Sequence, residues 1–171
     1  MTCLVEWKDS VLLCKRADPP AEGRWTPPAG FVEMDETLEQ AAVRETCEET
    51  GIELDPAALH LHIVSSVPWM SEIYIGFRAM VVDPRIRIGP ESTEARFFEE
   101  KDVPWERLAF KETIGYLQLF FRDRQRAGRA IHMTRIDETG GYRREYRVTS
   151  HSDIFQADVP TSRLDPGLGN S

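Results

Sequence analysis

Residues 16–30 contain Pro19, Pro20, Gly23, Pro27, Pro28 and Gly30, whereas residues 37–50 contain neither proline nor glycine. This contrast limits the fold more than any other feature of the chain. The first stretch has lost too many backbone donors for a helix and is too irregular for a central strand, so it is a shaped loop. The second is rich in Ala, Leu, Glu and Arg and opens on Thr37-x-x-Gln40, a capping-box pattern, before Gly51 supplies a left-handed stop. A rigid loop therefore runs into a capped helix.

Around this unit the chain alternates between strand and helix patterns. Residues 2–7 and 11–15 are β-prone runs separated by Lys8-Asp9-Ser10, a hairpin signal. Residues 60–66, 73–82 and 95–98 are further strand candidates. Over residues 111–126, Ile114, Leu117, Phe120 and Phe121 recur at helical spacing, which predicts an amphipathic helix packed on a sheet. Residues 130–136 and 142–149 flank Asp137-Glu138-Thr139-Gly140-Gly141 and read as a hairpin, with residues 159–171 a loose tail.

With 171 residues, the chain fits one main domain. No run of about 18 apolar residues is present, so no membrane span is expected, and a cytoplasmic protein follows as the default. The net charge is −8, and residues 1–127 hold the excess with 15 basic against 23 acidic side chains. Such a field repels a polyphosphate backbone, which argues against extended nucleic acid and leaves small anions accompanied by a metal. Cys3, Cys14 and Cys47 form no C-x-x-C pair and read as buried thiols in a reducing compartment.

The candidate helix carries the chemistry. On a helical wheel Leu38, Ala41, Ala42, Glu45, Glu48, Glu49 and Ile52 fall in one stripe roughly 120° wide. The stripe that should face the core thus turns acidic midway. Glu45, Glu48 and Glu49 stand at i, i+3 and i+4, where like charges repel by a few tenths of a kcal/mol per exposed pair and more when buried. Carboxylate oxygens suit hard cations, and a cluster that leaves positions for water and phosphate oxygens is how Mg²⁺ is usually held. Pro27-Pro28-Ala29-Gly30 would bring backbone carbonyls near these carboxylates, with Gly30 allowing close approach. Arg44, adjacent to Glu45 and four residues before Glu48, can hold a carboxylate in place.

Taken together, Gly30, Glu36 and Arg44-Glu45-Thr46-Cys47-Glu48-Glu49-Thr50-Gly51-Ile52 match G-x5-E-x7-R-E-U-x-E-E-x-G-U, where U is a large aliphatic residue. The chain resembles the Nudix hydrolases, departing only at Thr46. Further segments, among them Leu12-Leu13-Cys14-Lys15-Arg16-Ala17, Gly23-Arg24-Trp25-Thr26 and Val103-Pro104-Trp105-Glu106-Arg107-Leu108, are similar to a branch acting on ADP-ribose, NADH or FAD. That branch commonly carries an N-terminal four-cysteine zinc ribbon, which this chain is expected to lack. The resemblance implies an α/β/α sandwich around a mixed central sheet over residues 1–127; beyond it the residues themselves read as a C-terminal β-hairpin extension at 128–155, which the family pattern does not explain, and a tail at 156–171. The resemblance also implies Mg²⁺ or Mn²⁺ held by Glu45, Glu48, Glu49 and the carbonyl of Ala29. Glu94 matches a further carboxylate that in relatives binds metal or activates water, with Glu91, Glu99 and Glu100 as open alternatives. The implied activity is metal-dependent cleavage of a pyrophosphate bond in a nucleoside diphosphate linked to another moiety. Nucleoside-triphosphate hydrolysis and a non-catalytic sensor are the alternatives.

Substrate contacts are less constrained. Trp25, Trp69, Tyr74, Phe97 and Phe31 are candidate stacking partners for a base, and Arg16 and Arg24 lie near the phosphate loop in sequence. His60, His62, His132 and His151 show no ligand spacing and read as ordinary residues. The basic strand of the C-terminal hairpin, with Arg143, Arg144 and Arg147, fits docking on the acidic domain or on a second copy, and a homodimer is expected.

Overall fold

The structure is a computed structural model and describes residues 1–125, 130–137 and the backbone of 142–148. The expected tail, His151 and the turn at 138–141 lie outside the described residues, as do the side chains of the basic strand.

Eight strands form one mixed sheet: β1 Thr2–Trp7, β2 Ser10–Arg16, β3 Trp25–Thr26, β4 His60–Val67, β5 Glu72–Met80, β6 Ser92–Glu99, β7 Ile131–Ile136 and β8 Tyr142–Val148. Their order is β3-β2-β1-β5-β4-β7-β8, with β6 also paired to β2. The β1–β5 and β4–β7 pairs are parallel and the other pairs antiparallel. The C-terminal hairpin thus continues the sheet through β7, and the hydroxyls of Ser65 and Thr134 bond across its seam with β4.

Helices cover both faces, and for that reason β1 and β2 are almost continuously buried rather than alternating. On one face Cys3, Val5, Leu12, Phe77 and Ala79 pack with Ala42 and Ile52 of helix α1, Leu38–Thr50, and its end. On the other, Leu4, Val11, Leu13, Trp25 and Phe98 pack with Leu117, Phe120 and Phe121 of helix α2, Lys111–Gln125. Ile63, Val67 and Ile136 extend this second core against Tyr116 and Leu119. The irregular loop contributes β3, two residues long, paired with β2 at Lys15↔Trp25 and Cys14↔Thr26. Pro27 and Pro28 end it there, because neither can donate to a ladder.

Candidate active site

The capping box forms as expected: the Thr37 hydroxyl accepts from the Gln40 amide at 3.2 Å and the Gln40 side chain accepts from the Thr37 amide at 2.7 Å. Gly51 closes α1 with φ 67°, in the left-handed region. Thr46, the departure from the aliphatic pattern, is fully buried because its hydroxyl bonds back to the Ala42 carbonyl at 2.7 Å. A polar atom thereby fits under the sheet with its partner supplied by the helix itself.

The loop before α1 is fastened to β1. The Cys3 amide and the Thr2 hydroxyl both donate to the Pro28 carbonyl at 3.0 Å, and the Ala29 amide donates to Glu49 Oε1 at 3.2 Å. Gly30 sits so close to Glu45 that a Cβ there would overlap the carboxyl group, which explains the glycine. The loop thus lies directly against two of the three carboxylates.

Arg44 organises the cluster. Its guanidinium grips Glu36 through two bonds of 2.7 and 3.1 Å and donates to Glu45 at 2.9 Å, Glu48 at 3.3 Å and the Phe31 carbonyl at 2.9 Å. The sequence pattern contained Glu36 without giving it a role; in the structure it is the fork-on partner that fixes Arg44. That grip holds the Glu36 carboxyl below its usual range, with a contribution from the Glu33 amide.

Burial grades the three carboxylates. Glu48 is open to solvent, while Glu49 is only 6% exposed. Burial pushes Glu49 up to about 7, against the opposing pull of the Ala29 amide, and raises Glu45 as well. No ion pair to Glu49 is found among the described residues. A buried carboxylate met by the Ala29 amide but by no cation, beside two others, is an unfavourable arrangement, and a divalent cation would relieve it. The donor set is all oxygen, which suits Mg²⁺ or Mn²⁺.

The segment after β5 caps the other end of α1. The amides of Arg87 and Gly89 donate to the carbonyls of Thr50 and Glu49 at 2.7 and 3.0 Å, and a Cβ at Gly89 would overlap the Glu48 carbonyl. This contact brings Glu91 near enough for its charge to act on both Glu45 and Glu49. Glu94 lies elsewhere. It pairs with Lys15 at 3.6 Å and Arg96 at 3.5 Å, and the alternation of β6 turns it away from the face of Ala95, which packs on the α1 side. Of the two carboxylates Glu91 and Glu94, the fold brings Glu91 to the cluster.

The remaining candidates divide similarly. Trp25 is buried edge-on against Phe98, with Lys15 and Arg96 over its ring, so it has no free face for a base. Arg24 donates to the carbonyls of Glu106 and Leu108, and Arg16 to that of Pro20, so both brace loops. Tyr74 and Phe97 pack against Tyr116 and Trp7. Phe31 and Trp69 are the aromatic candidates left exposed, and Phe31 is the one tied to the cluster, through its carbonyl. Cys3 and Cys14 are buried as expected, with the Cys3 thiol pushed up to about 12 by burial, whereas Cys47 is partly exposed.

Comparison with known proteins agrees with this geometry. The NUDIX domain family matches residues 2–119. The chain belongs to the Nudix family. It is similar to an ADP-ribose pyrophosphatase of Methanocaldococcus jannaschii, 38% identical over 111 residues that make up 63% of each chain. It is also similar to the NAD-capped RNA hydrolase NudC of Escherichia coli O157:H7, 38% identical over 104 residues, 56% of this chain and 37% of that one. The chain therefore spans less than two thirds of the length of either relative. Among solved structures, a NUDIX hydrolase from Nitrosomonas europaea superposes with a TM-score of 0.74 at 39% identity, covering 80% of this chain and 77% of that one. The α/β/α arrangement is thus the Nudix fold, and the capped helix with its preceding loop is the Nudix box.

Proposed function

We propose that this protein is a divalent-metal-dependent pyrophosphohydrolase that cleaves the diphosphate bridge of ADP-ribose or of an NAD-related dinucleotide. The observation that carries this reading is the set of Glu45, Glu48 and Glu49 on one turn of α1, graded from buried to exposed and closed over by the Ala29–Gly30 loop. Glu45, Glu48 and Glu49, with the Ala29 carbonyl, would hold Mg²⁺ or Mn²⁺. When bound, the ion supplies charge neutralisation at the bridging phosphates and acidifies the attacking water. Arg44 keeps Glu45 and Glu48 in one orientation while Glu36 keeps Arg44 in place. Glu91, exposed beside the cluster, is suited to accept the proton of that water.

The names of the two relatives support the substrate class, since ADP-ribose and an NAD cap both present a nucleoside joined through a diphosphate. The net charge of −8 supports a small substrate over an extended nucleic acid. The same reading takes the protein as a cytoplasmic homodimer. No helix among the described residues is long and apolar enough to cross a membrane, and Trp69, Met70 and Ile73 leave apolar surface at the β4–β5 end. A panel of ADP-ribose, NADH, FAD, NAD-capped RNA, nucleotide sugars and nucleoside triphosphates, incubated with Mg²⁺ or Mn²⁺, tests the reading. The expected result is AMP and ribose 5-phosphate from ADP-ribose. Tight binding of one compound with cleavage of none would make the protein a sensor, and cleavage of triphosphates alone would reassign the substrate.

A further inference from the structure

On the sheet face opposite α1, three ligand-type side chains from three separate elements meet in the core. His62 of β4, Asp123 in the last turn of α2 and His132 of β7 are each 0% exposed. One donor atom of each lies within 4.8 Å of the other two. His132 Nε2 and Asp123 Oδ2 are 2.7 Å apart, and the two imidazoles stand edge to face with centroids 5.2 Å apart. Neither ring nitrogen of His62 has a partner in full hydrogen-bonding geometry, although backbone groups of Ala130 and Tyr116 lie close enough to act on the ring. A fully buried imidazole with no well-formed hydrogen bond is costly, and a metal ion shared with Asp123 and His132 would give it a stronger partner than these backbone groups.

Backbone architecture aims His62 at this point. The β4–β5 ladder pairs Leu61 with Phe77 and Ile63 with Gly76, leaving His62 as the extra residue of a bulge. A bulge redirects a side chain, and here His62 turns inward beneath Phe120 of α2. In the parallel β4–β7 pairing, Ile63 lies opposite His132, which places the second imidazole beside the first. Arg78, the positive charge that acts on His62, is ion-paired with Glu6 at 2.9 Å.

We propose that His62, Asp123 and His132 form a second, structural metal site for a zinc-class divalent ion, which pins β7 to β4 and to the end of α2. Two imidazole nitrogens and one carboxylate oxygen suit Zn²⁺, Co²⁺ or Ni²⁺ and not Mg²⁺, which prefers oxygen and keeps its waters. Three protein ligands leave one position of a tetrahedral shell for a water. The site shares no ligand with the Glu45, Glu48 and Glu49 cluster, so its fate is independent of the proposed hydrolase activity.

The test is metal retention by the full chain after stripping with a chelator, exposure to excess Zn²⁺ or Co²⁺ in the presence of Mg²⁺, and gel filtration. One equivalent should be retained, and the cobalt form should show the visible absorption of a tetrahedral ion. A Glu45→Gln/Glu48→Gln/Glu49→Gln variant should retain it equally, while His62→Phe should lower affinity at least about tenfold. Because His132→Asn risks misfolding, the wild-type imidazole ¹⁵N resonances provide a second reading: those of His62 and His132 should shift on zinc addition. No retained ion, retention unchanged in His62→Phe, or loss of the ion from the glutamine variant would each overturn the proposal.

Discussion

Glu49 is the residue whose environment says most about the chemistry. Burial raises it from 4.5 to about 7, so without metal the folded protein favours its protonated form only below about pH 7. A raised folded-state pKa gives stability that is fully present below about 4.5 and lost as pH rises through about 7. Thermal melts of the metal-free protein should therefore show a falling Tm across this window, by up to about 3 kcal/mol of stability from this group. Glu49→Gln should flatten the fall, and saturating Mn²⁺ should reverse it; a melt insensitive to both pH and metal would contradict the assigned environment. Metal affinity should rise over the same interval, because the ion requires the ionised form.

Arg44 is the second residue on which the geometry of the cluster depends. Lysine keeps the charge but cannot hold Glu36 through two bonds while also reaching Glu45 and Glu48. Arg44→Lys should reduce turnover at least about tenfold while thermal stability falls by only about 1 kcal/mol, as steady-state kinetics and melts will show. The acidic trio was legible because helical periodicity is a local code, and Gly30 was legible because few residues other than glycine permit such close approach. Glu91 was not separable from Glu94 in sequence. The choice depends on which way β6 alternates and on where the Arg87–Gly89 contact seats the preceding loop.

Helix α1 is the element on which the site depends, and both of its ends are specified in sequence. Thr37→Ala removes one half of the capping box and should cost about 1 kcal/mol in denaturant unfolding. Gly89→Ala should be more damaging, because its methyl group would meet the Glu48 carbonyl and pull the capping segment from the helix. The expected outcome is a loss of activity larger than that of Thr37→Ala, with Glu91 displaced. Helices and most strands followed from periodicity, but β3 did not, since a two-residue strand exists only through its pairing with β2. The bulge at His62 was equally invisible, being a property of the β4–β5 register rather than of any local pattern.

At the scale of the whole molecule, one mixed sheet separates two chemistries: an oxygen-lined acidic cluster under α1 and a buried imidazole–carboxylate cluster under α2. The sequence made the first readable because its three glutamates lie within five positions of one another, from Glu45 to Glu49. The second is assembled from positions 62, 123 and 132, which only the parallel β4–β7 pairing and the end of α2 bring together. Trp25 shows the same principle in reverse: near the phosphate loop in sequence, it faces the α2 core across the sheet.

Diffraction at the manganese absorption edge from crystals soaked in Mn²⁺ tests the metal site most directly. Anomalous density is expected among the carboxylates of Glu45, Glu48 and Glu49, beside the Ala29–Gly30 loop. Ordered carboxylates turned into solvent with no such density would contradict the assignment.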